Sequence, residues 1–147
     1  MADFLTGMRV SSSGMAAQRM RMNTIASNIA NINTTQSPEG GPYRRKDVVF
    51  EAMPDAKNFG EIITSSDPAG NFQRVQVTDV ISDQKAPLLK YEPDHPDANA
   101  DGMVAYPNIN LMEEMTNMIQ ASRSYEANVT ALQASKDMAL SALEIGR

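Results

Sequence analysis

Cysteine and tryptophan are absent from this sequence, and aromatic residues make up only 5% of its 147 residues. Without cysteine the chain can form neither a disulfide nor a thiolate nucleophile, so its composition is compatible with any redox compartment. The eleven methionines and the scarcity of aromatic residues predict a soft, aliphatic core.

An excess of basic residues is also missing, because the formal net charge is −5. A nucleic-acid-binding protein needs a basic face, so we expect no nucleic-acid partner. The first twenty residues, MADFLTGMRVSSSGMAAQRM, lack the continuous apolar core of a signal peptide, and no stretch is long enough to span a membrane. We therefore expect no membrane insertion, and any export must use a route without a cleaved signal peptide.

Proline is absent from both ends of the chain, since all eight prolines lie between Pro38 and Pro107. Long helices require proline-free segments. The pattern predicts an α+β protein in three parts: an N-terminal helix over 1–35, a β-rich middle domain over 36–107, and a C-terminal helix over 108–147.

Apolar residues recur at alternating steps of four and three in both terminal segments, which is the spacing of a coiled-coil stripe. The two helices are therefore predicted to pair as a coiled-coil-like stalk, with Asn110 capping the start of the second. The N-terminal stripe includes Met15, Met22, Ile25, Ile29 and Ile32. The C-terminal stripe includes Leu111, Met115, Met118, Tyr125, Val129 and Leu132.

Charge is absent from residues 22–38, where NTIASNIANINTT carries four asparagines instead. On a helix, Asn23, Ser27, Ala30 and Asn31 share a face opposite the isoleucine stripe. One interpretation is that this second face is buried between subunits, because small residues and amides allow close approach without desolvating a charge. The other is a two-helix stalk with a weakly polar, solvated back.

The middle segment contains short strand-like runs at 43–53, 61–65, 72–81 and 87–91, each bounded by turn residues. Residues 91–110, YEPDHPDANADGMVAYPNIN, are acidic and rich in proline. We expect them to form an ordered loop or an extended arm.

Catalytic motifs are not found in the sequence. It has no GxSxG, phosphate-binding loop or GxGxxG motif, and Glu113 and Glu114 point about 100° apart on a helix. His95 with Asp94, Asp97 and Asp101 offers metal-ligand atoms, but the spacing does not fit a calcium loop. We expect neither an enzyme nor a cofactor, and the rival hypothesis is a metal-dependent hydrolase built on 94–101.

Two terminal motifs resemble the signatures of the bacterial flagellar axial proteins, a family of rod, hook and hook-associated proteins. These motifs are SGMAAQRMRMNTIASNIANINTT (13–35) and NLMEEMTNMIQASRSYEANVTALQASKDM (110–138). Together with SPEGGPYRRKDVVFEA (37–52) and YEPDHPDANADGMVAYPNINLMEEM (91–115), they make the chain similar to the proximal-rod members of that family.

The resemblance implies a structural subunit whose terminal helices polymerise into the periplasmic rod of the basal body, the drive shaft that transmits torque. It implies as partners other rod proteins, further copies of the chain, ring components and the flagellar export apparatus. By the same resemblance, subunit packing would use Asn28, Asn31, Ile32 and Asn33 in the first helix, and Glu113, Glu114, Met118, Tyr125 and Asn128 in the second.

A non-flagellar alternative is a soluble coiled-coil adaptor that forms small closed oligomers. For the rod subunit we hypothesise that folding is coupled to assembly, because two long helices without a broad core lose much chain entropy on ordering.

Overall fold

The computed structural model describes residues 2–38, 40–54 and 73–145. Along the chain, one long helix precedes a β-rich middle segment and a second long helix follows it. The elements in chain order are α1 (Ala2–Ala30), β1 (Lys46–Pro54), β2 (Gln73–Ser82), β3 (Leu88–Tyr91), β4 (Met103–Tyr106) and α2 (Leu111–Ile145). This confirms the predicted α+β class with a helix at each end. Neither helix, over the residues described, is apolar enough to cross a membrane.

The first helix ends at Ala30, earlier than the predicted limit of 35, so Ile32 and Asn33 lie in a turn. The side chain of Asn31 donates a hydrogen bond to the Ser27 carbonyl at 2.8 Å. The Ile32 amide bonds to the carbonyl three residues back instead of four. Asparagine ends helices in this way because its side chain competes for backbone groups.

The chain then reverses direction through a turn over residues 34–42. The Tyr43 amide donates to the Thr34 carbonyl at 3.1 Å, which closes the turn, and the Ser37 amide donates to the Gly41 carbonyl at 2.8 Å. Gly40 and Gly41 have φ angles of 87° and 78°, a region that favours glycine. The turn returns the chain to the end of α1 at the point where β1 begins.

Strands β1 and β2 form an antiparallel pair that packs on α1. The pairing runs from Lys46 opposite Ser82 to Pro54 opposite Gln73, with a bulge between Val49 and Phe50. Val48 is buried, and the Val75 amide donates to the Ser13 hydroxyl at 3.2 Å. The strand predicted over 61–65 lies outside the described residues.

A second antiparallel pair, β3 with β4, occupies part of the predicted loop over 91–110. Val104 in β4 is fully buried, so this short strand anchors the hairpin. Gly102 precedes β4 with a φ of 73°, and a Cβ atom there would lie 2.8 Å from the Tyr91 ring. The prediction of a loop or an extended arm over all of 91–110 is therefore wrong for β4, and the loop between the two strands covers only 92–102.

The second helix begins where its capping residue predicts. The Asn110 side chain accepts a hydrogen bond from the Met112 amide at 3.1 Å, and the Asn110 carbonyl accepts one from the Glu114 amide. This is the arrangement of a helix N-cap. At about 1.5 Å per residue, α1 and α2 are roughly 44 and 52 Å long.

Candidate subunit-packing surfaces

The two helices pack side by side in antiparallel directions, with a register defined by one contact near the end of α1 and one near its middle. Asn28 bonds to Glu114, and Gly14 lies against Asn128. The residue numbers in each pair add up to 142, which is the signature of a constant antiparallel register. The pairing therefore spans at least residues 14–28 of α1 and 114–128 of α2, and coiled-coil geometry within it stays a prediction.

Close packing between the helices relies on small residues. Ala17 in α1 and Ala121 in α2 are both almost fully buried. A Cβ atom at Gly14 would lie 3.0 Å from the amide nitrogen of Asn128. The face of α2 that carries Ala121 and Asn128 thus turns toward α1.

The end of α1, the start of β1 and the start of α2 meet at a polar cluster in which Asn28 and Glu114 are buried. This cluster, here called the polar junction, consists of Asn28, Tyr43, Arg45, Lys46 and Glu114. The Asn28 amide nitrogen donates to Glu114 Oε2 at 3.0 Å and to the Lys46 carbonyl at 2.8 Å. Its oxygen accepts from the Lys46 amide at 2.9 Å and from the Tyr43 hydroxyl at 3.1 Å. Every hydrogen-bonding position of this fully buried side chain is used.

The charge in the polar junction is balanced. Glu114 is 1% exposed, and Arg45 Nε donates to Glu114 Oε1 at 2.8 Å while its Nη1 contacts Asp47 at 3.1 Å. Burial acts to lower the pKa of Arg45, but the hydrogen bonds to Glu114 and Asp47 outweigh it and raise the pKa above its ordinary value. A buried ion pair with its remaining positions bonded is sensitive to the loss of either partner.

Three residues of the polar junction were not identified from the sequence. The resemblance pointed to Asn28 and Glu114 as subunit-packing residues, whereas in the single chain their polar atoms are occupied internally. Tyr43, Arg45 and the Lys46 backbone complete the cluster. The sequence RRKD at 44–47 does not indicate that Arg45, rather than Arg44, contacts the buried Glu114.

The predicted apolar stripes divide between the interior and the surface. Ile25 is buried, and half-buried positions include Met15, Met22, Ile29, Met118, Tyr125, Asn128, Val129 and Leu132. Glu113 is exposed, as are Leu111 and Met115, which are 42% and 47% exposed. These two apolar side chains therefore do not face α1, because the inward face of α2 is centred on Glu114 and Ala121.

An apolar surface on the first turns of α2 faces away from α1. It consists of Leu111, Met112, Met115 and Ile119, all exposed, and is here called the outer stripe. Met112, Met115 and Ile119 are spaced at steps of three and four, so they share one helix face. Neither Met112 nor Ile119 was identified from the sequence as a surface residue, although their spacing is visible there.

The uncharged face of α1 is also open to solvent in the single chain. Asn23, Ser27 and Ala30 are exposed, Asn31 and Ile32 are half-buried, and Asn33 is exposed. The interaction between Ser27 and the Tyr43 hydroxyl, at 3.3 Å, lies at the edge of this face. The chain thus offers two surfaces that carry no charge, one on each helix.

His95, on which the rival metal-site hypothesis depends, lies in the loop between β3 and β4. His95 Nδ1 accepts a hydrogen bond from the Asp97 amide at 3.1 Å, and its ring packs edge-on to Tyr106. Among the residues placed by the structure, no group of three or more His, Asp or Glu side chains could hold a metal ion. His95 therefore acts as a hydrogen-bonded loop residue.

Comparison with known protein families finds two matches. Residues 8–36 match the family described as flagella basal body rod protein. Residues 100–145 match the family described as flagellar basal body rod FlgEFG protein C-terminal. These segments cover most of α1, the strand β4 and α2.

Comparison with individual proteins finds similarity along nearly the whole chain. The flagellar basal-body rod protein FlgC of Borreliella burgdorferi is 42% identical over 145 residues, which cover 95% of both chains. FlgC of Bacillus subtilis is 42% identical over 148 residues, covering 95% of this chain and 96% of that one. FlgC of Escherichia coli O157:H7 is 41% identical over 140 residues, or 94% of each.

Proposed function

Since the chain belongs to the FlgC family of flagellar basal-body rod proteins, and is thus a structural subunit of the rod, we propose that it polymerises through its paired terminal helices. In this proposal 1–35 and 108–147 form the axial part of the subunit, and 36–107 lie outside it. Other rod proteins and further copies of the chain are the neighbours. A structural role of this kind requires neither a catalytic group nor a cofactor.

The observation that carries the proposal is the outer stripe. Four large apolar side chains, 42–70% exposed, lie within nine residues of one helix. A contiguous apolar patch on a soluble subunit marks an interaction site, because its burial releases water from apolar surface. The uncharged face of α1 supports the same conclusion, since exposed helix faces usually carry charge.

Within this proposal the predicted packing residues have two roles. Direct contacts between subunits involve Leu111, Glu113 and Met115 in α2, and Asn31 and Asn33 just after the end of α1. The half-buried residues of the two predicted apolar stripes also contribute to these contacts. Asn28 and Glu114 act from the interior, because they hold α2 against α1 and so fix the surface that the neighbours meet. Torque passes through many such contacts, together with the polar junction that links the helices to β1.

The proposal extends to where the subunit works. The rod would cross the periplasm, and the subunit would reach it through the flagellar export apparatus without a cleaved signal peptide, meeting ring components on the way. The support for this part is the family resemblance and the name of the relatives, which places them in the basal body.

A single lysine in the outer stripe tests the proposal. Ile119→Lys places a charge within the stripe, at its C-terminal end, and Gln120→Lys places the same charge one residue away, on an exposed polar position of the same helix. We expect Ile119→Lys to abolish rod assembly and swimming when it replaces the chromosomal copy, and Gln120→Lys to leave both intact. Circular dichroism of the purified subunits checks that both variants remain helical.

Two outcomes would contradict the proposal. Normal rods with Ile119→Lys would show that the stripe is not a subunit contact. Small closed oligomers of the unmodified chain, with discrete masses in native mass spectrometry and no incorporation into basal bodies, would favour the adaptor alternative.

A further inference from the structure

A groove lined by basic residues lies beside the turn over 34–42. It consists of two hollows of about 140 and 360 Å³ that share the walls Gly40, Pro42, Tyr43 and Arg44. Among the residues that the structure describes, the charged ones that line it are Arg44, Arg45, Lys46 and Lys85, together with Asp83. This is a positive surface on a chain whose net charge is −5.

Two of these cations remain available to an external anion. Arg45 is engaged by Glu114 and Asp47, and Lys85 lies 3.5 Å from Asp83. Arg44 donates to the neutral amide of Gln84, and Lys46 lies over the Tyr43 ring. Because the Gln84 amide and the Tyr43 ring are uncharged, neither of them neutralises the positive charge of Arg44 or Lys46. Both of these basic side chains are also exposed.

An acidic loop lies between β3 and β4. Residues 92–101 contain four carboxylates and neither lysine nor arginine. The loop is held in one shape by bonds from the Glu92 amide to the Gly102 carbonyl and from the Asn99 amide to the Met103 carbonyl, both 2.9 Å. A preformed loop loses little entropy on binding. Asp94 and Asp101 are exposed at its surface.

The groove and the hollow beside the acidic loop both border this turn and share Gly41 and Pro42 as walls. Thr34 and Ser37 line the groove. Thr35 and Gln36 line a separate hollow against the loop, and the Thr35 hydroxyl donates to Asp97 at 2.7 Å. Within one chain the loop contacts the turn through Asp97, whereas Asp94 and Asp101 are exposed and can be presented to the groove of another copy.

We propose that the basic groove receives the acidic loop of a second copy of this chain. Two different surfaces that meet head to tail form a heterologous contact, which extends into rings or helical arrays. The contact rests on the proposed function, because it adds a second link between subunits that already pack through their helices. Since the groups are exposed, its contribution weakens as salt concentration rises.

Charge reversal and recombination test the contact. The groove variant is Arg44→Glu with Lys46→Glu, which changes side chains while keeping the Lys46 backbone bonds to Asn28. The loop variant is Asp94→Lys with Asp101→Lys. We expect each variant alone to lose rod assembly, and the chain carrying all four substitutions to regain it, because both charges are then reversed.

Each other result of this experiment overturns the contact. Normal assembly of either variant alone would show that the charges do not meet a neighbour. Loss in both variants without recovery in the combined chain would mean that the groove binds a different protein. Failure of the helix-mediated proposal is separately visible, because it depends on Ile119→Lys and not on these charges.

Disulfide formation provides a measurement that does not depend on charge. The chain has no cysteine, so Arg44→Cys and Asp94→Cys can be placed in separate copies, one tagged, and expressed together. We expect a disulfide between the tagged and untagged chains in basal bodies. Gln76→Cys, exposed on β2, replaces Arg44→Cys as the control. A yield no higher than that of the control would overturn the proposal.

Discussion

A buried asparagine is the residue on which the position of α2 depends. The Asn28 side chain donates two hydrogen bonds through its nitrogen and accepts two through its oxygen. No apolar or charged side chain of similar size could make all four bonds. An aspartate there would replace the amide donor with an oxygen facing the Glu114 carboxylate. We expect Asn28→Asp to lower the free energy of unfolding by about 3 kcal/mol, because two buried carboxylates would meet without a bridging proton donor.

Urea denaturation followed by circular dichroism measures this effect, and the chain offers a matched control. Asn23→Asp makes the same substitution at an exposed position of the same helix, where we expect a change within about 0.5 kcal/mol. Adding Glu114→Gln to Asn28→Asp restores a donor at the junction and should recover part of the loss. Equal stability of the two aspartate variants would refute the role assigned to Asn28.

At the scale of the helices, the sequence predicted their existence and pairing better than their contact face. The step-four, step-three spacing identified Ile25 and Met118 as inward positions, but it also selected Leu111 and Met115, which are exposed. The spacing of apolar residues selects positions by the hydrophobicity of their side chains. The contact between α1 and α2 depends instead on how closely the two helix backbones approach each other. Gly14 and Ala121 allow that close approach, but a search for regularly spaced large apolar residues does not select glycine or alanine.

Close approach at Gly14 leads to a prediction about the helix pair. Gly14→Leu must insert a side chain where a Cβ atom already meets the Asn128 amide at 3.0 Å. Gly7→Leu makes the same change in α1 where a Cβ atom meets nothing within 4 Å. We expect Gly7→Leu to stabilise the chain by about 0.5 kcal/mol through helix propensity, and Gly14→Leu to destabilise it by about 1–3 kcal/mol through overpacking.

Thermal unfolding of both leucine variants, compared with the unmodified chain, gives the required difference. If both substitutions changed stability by the same amount, α1 and α2 would not be in contact at Gly14.

The hairpin of β3 and β4 is predicted to weaken in acid. The hydrogen bond from Lys90, followed by that from the Tyr106 hydroxyl, lowers the pKa of Glu92 below its ordinary value of 4.5. A lowered pKa means that the ionised carboxylate stabilises the folded hairpin. This stabilisation is complete above pH 4.5 and is lost as the pH falls through the lowered pKa.

NMR spectra of the hairpin amides, recorded from about pH 5 down to about pH 3, follow this loss across the range where Glu carboxyls titrate. Glu92→Gln removes the titrating group and serves as the control, so its hairpin should show a smaller dependence on pH over this range. Identical dependence in the two proteins would contradict the assignment to Glu92.

Over the whole molecule, long-range polar contacts are the part that the sequence did not reveal. Asn28 and Glu114 are 86 positions apart. Local patterns show which residues are polar but not which polar residues meet. The strand β4 was missed for a related reason, because MVAY is short and stands between Gly102 and Pro107 without clear alternation. The helix at each end was predictable because proline content and helix periodicity are local properties.

The same structure refines the hypothesis that folding is coupled to assembly. The polar junction ties the end of α1 to the start of α2, whereas from 133 to 144 only Ser135 and Ala139 of α2 are even half-buried. Amide hydrogen exchange depends on such local stability. We expect the amides of 133–145 to exchange quickly in the dilute subunit and to be protected in isolated basal bodies. The amides next to Asn28 and Glu114 should be protected in both. Equal protection of the two regions in the dilute subunit would mean that α2 is completed within one chain, and that assembly adds neighbours without ordering it further.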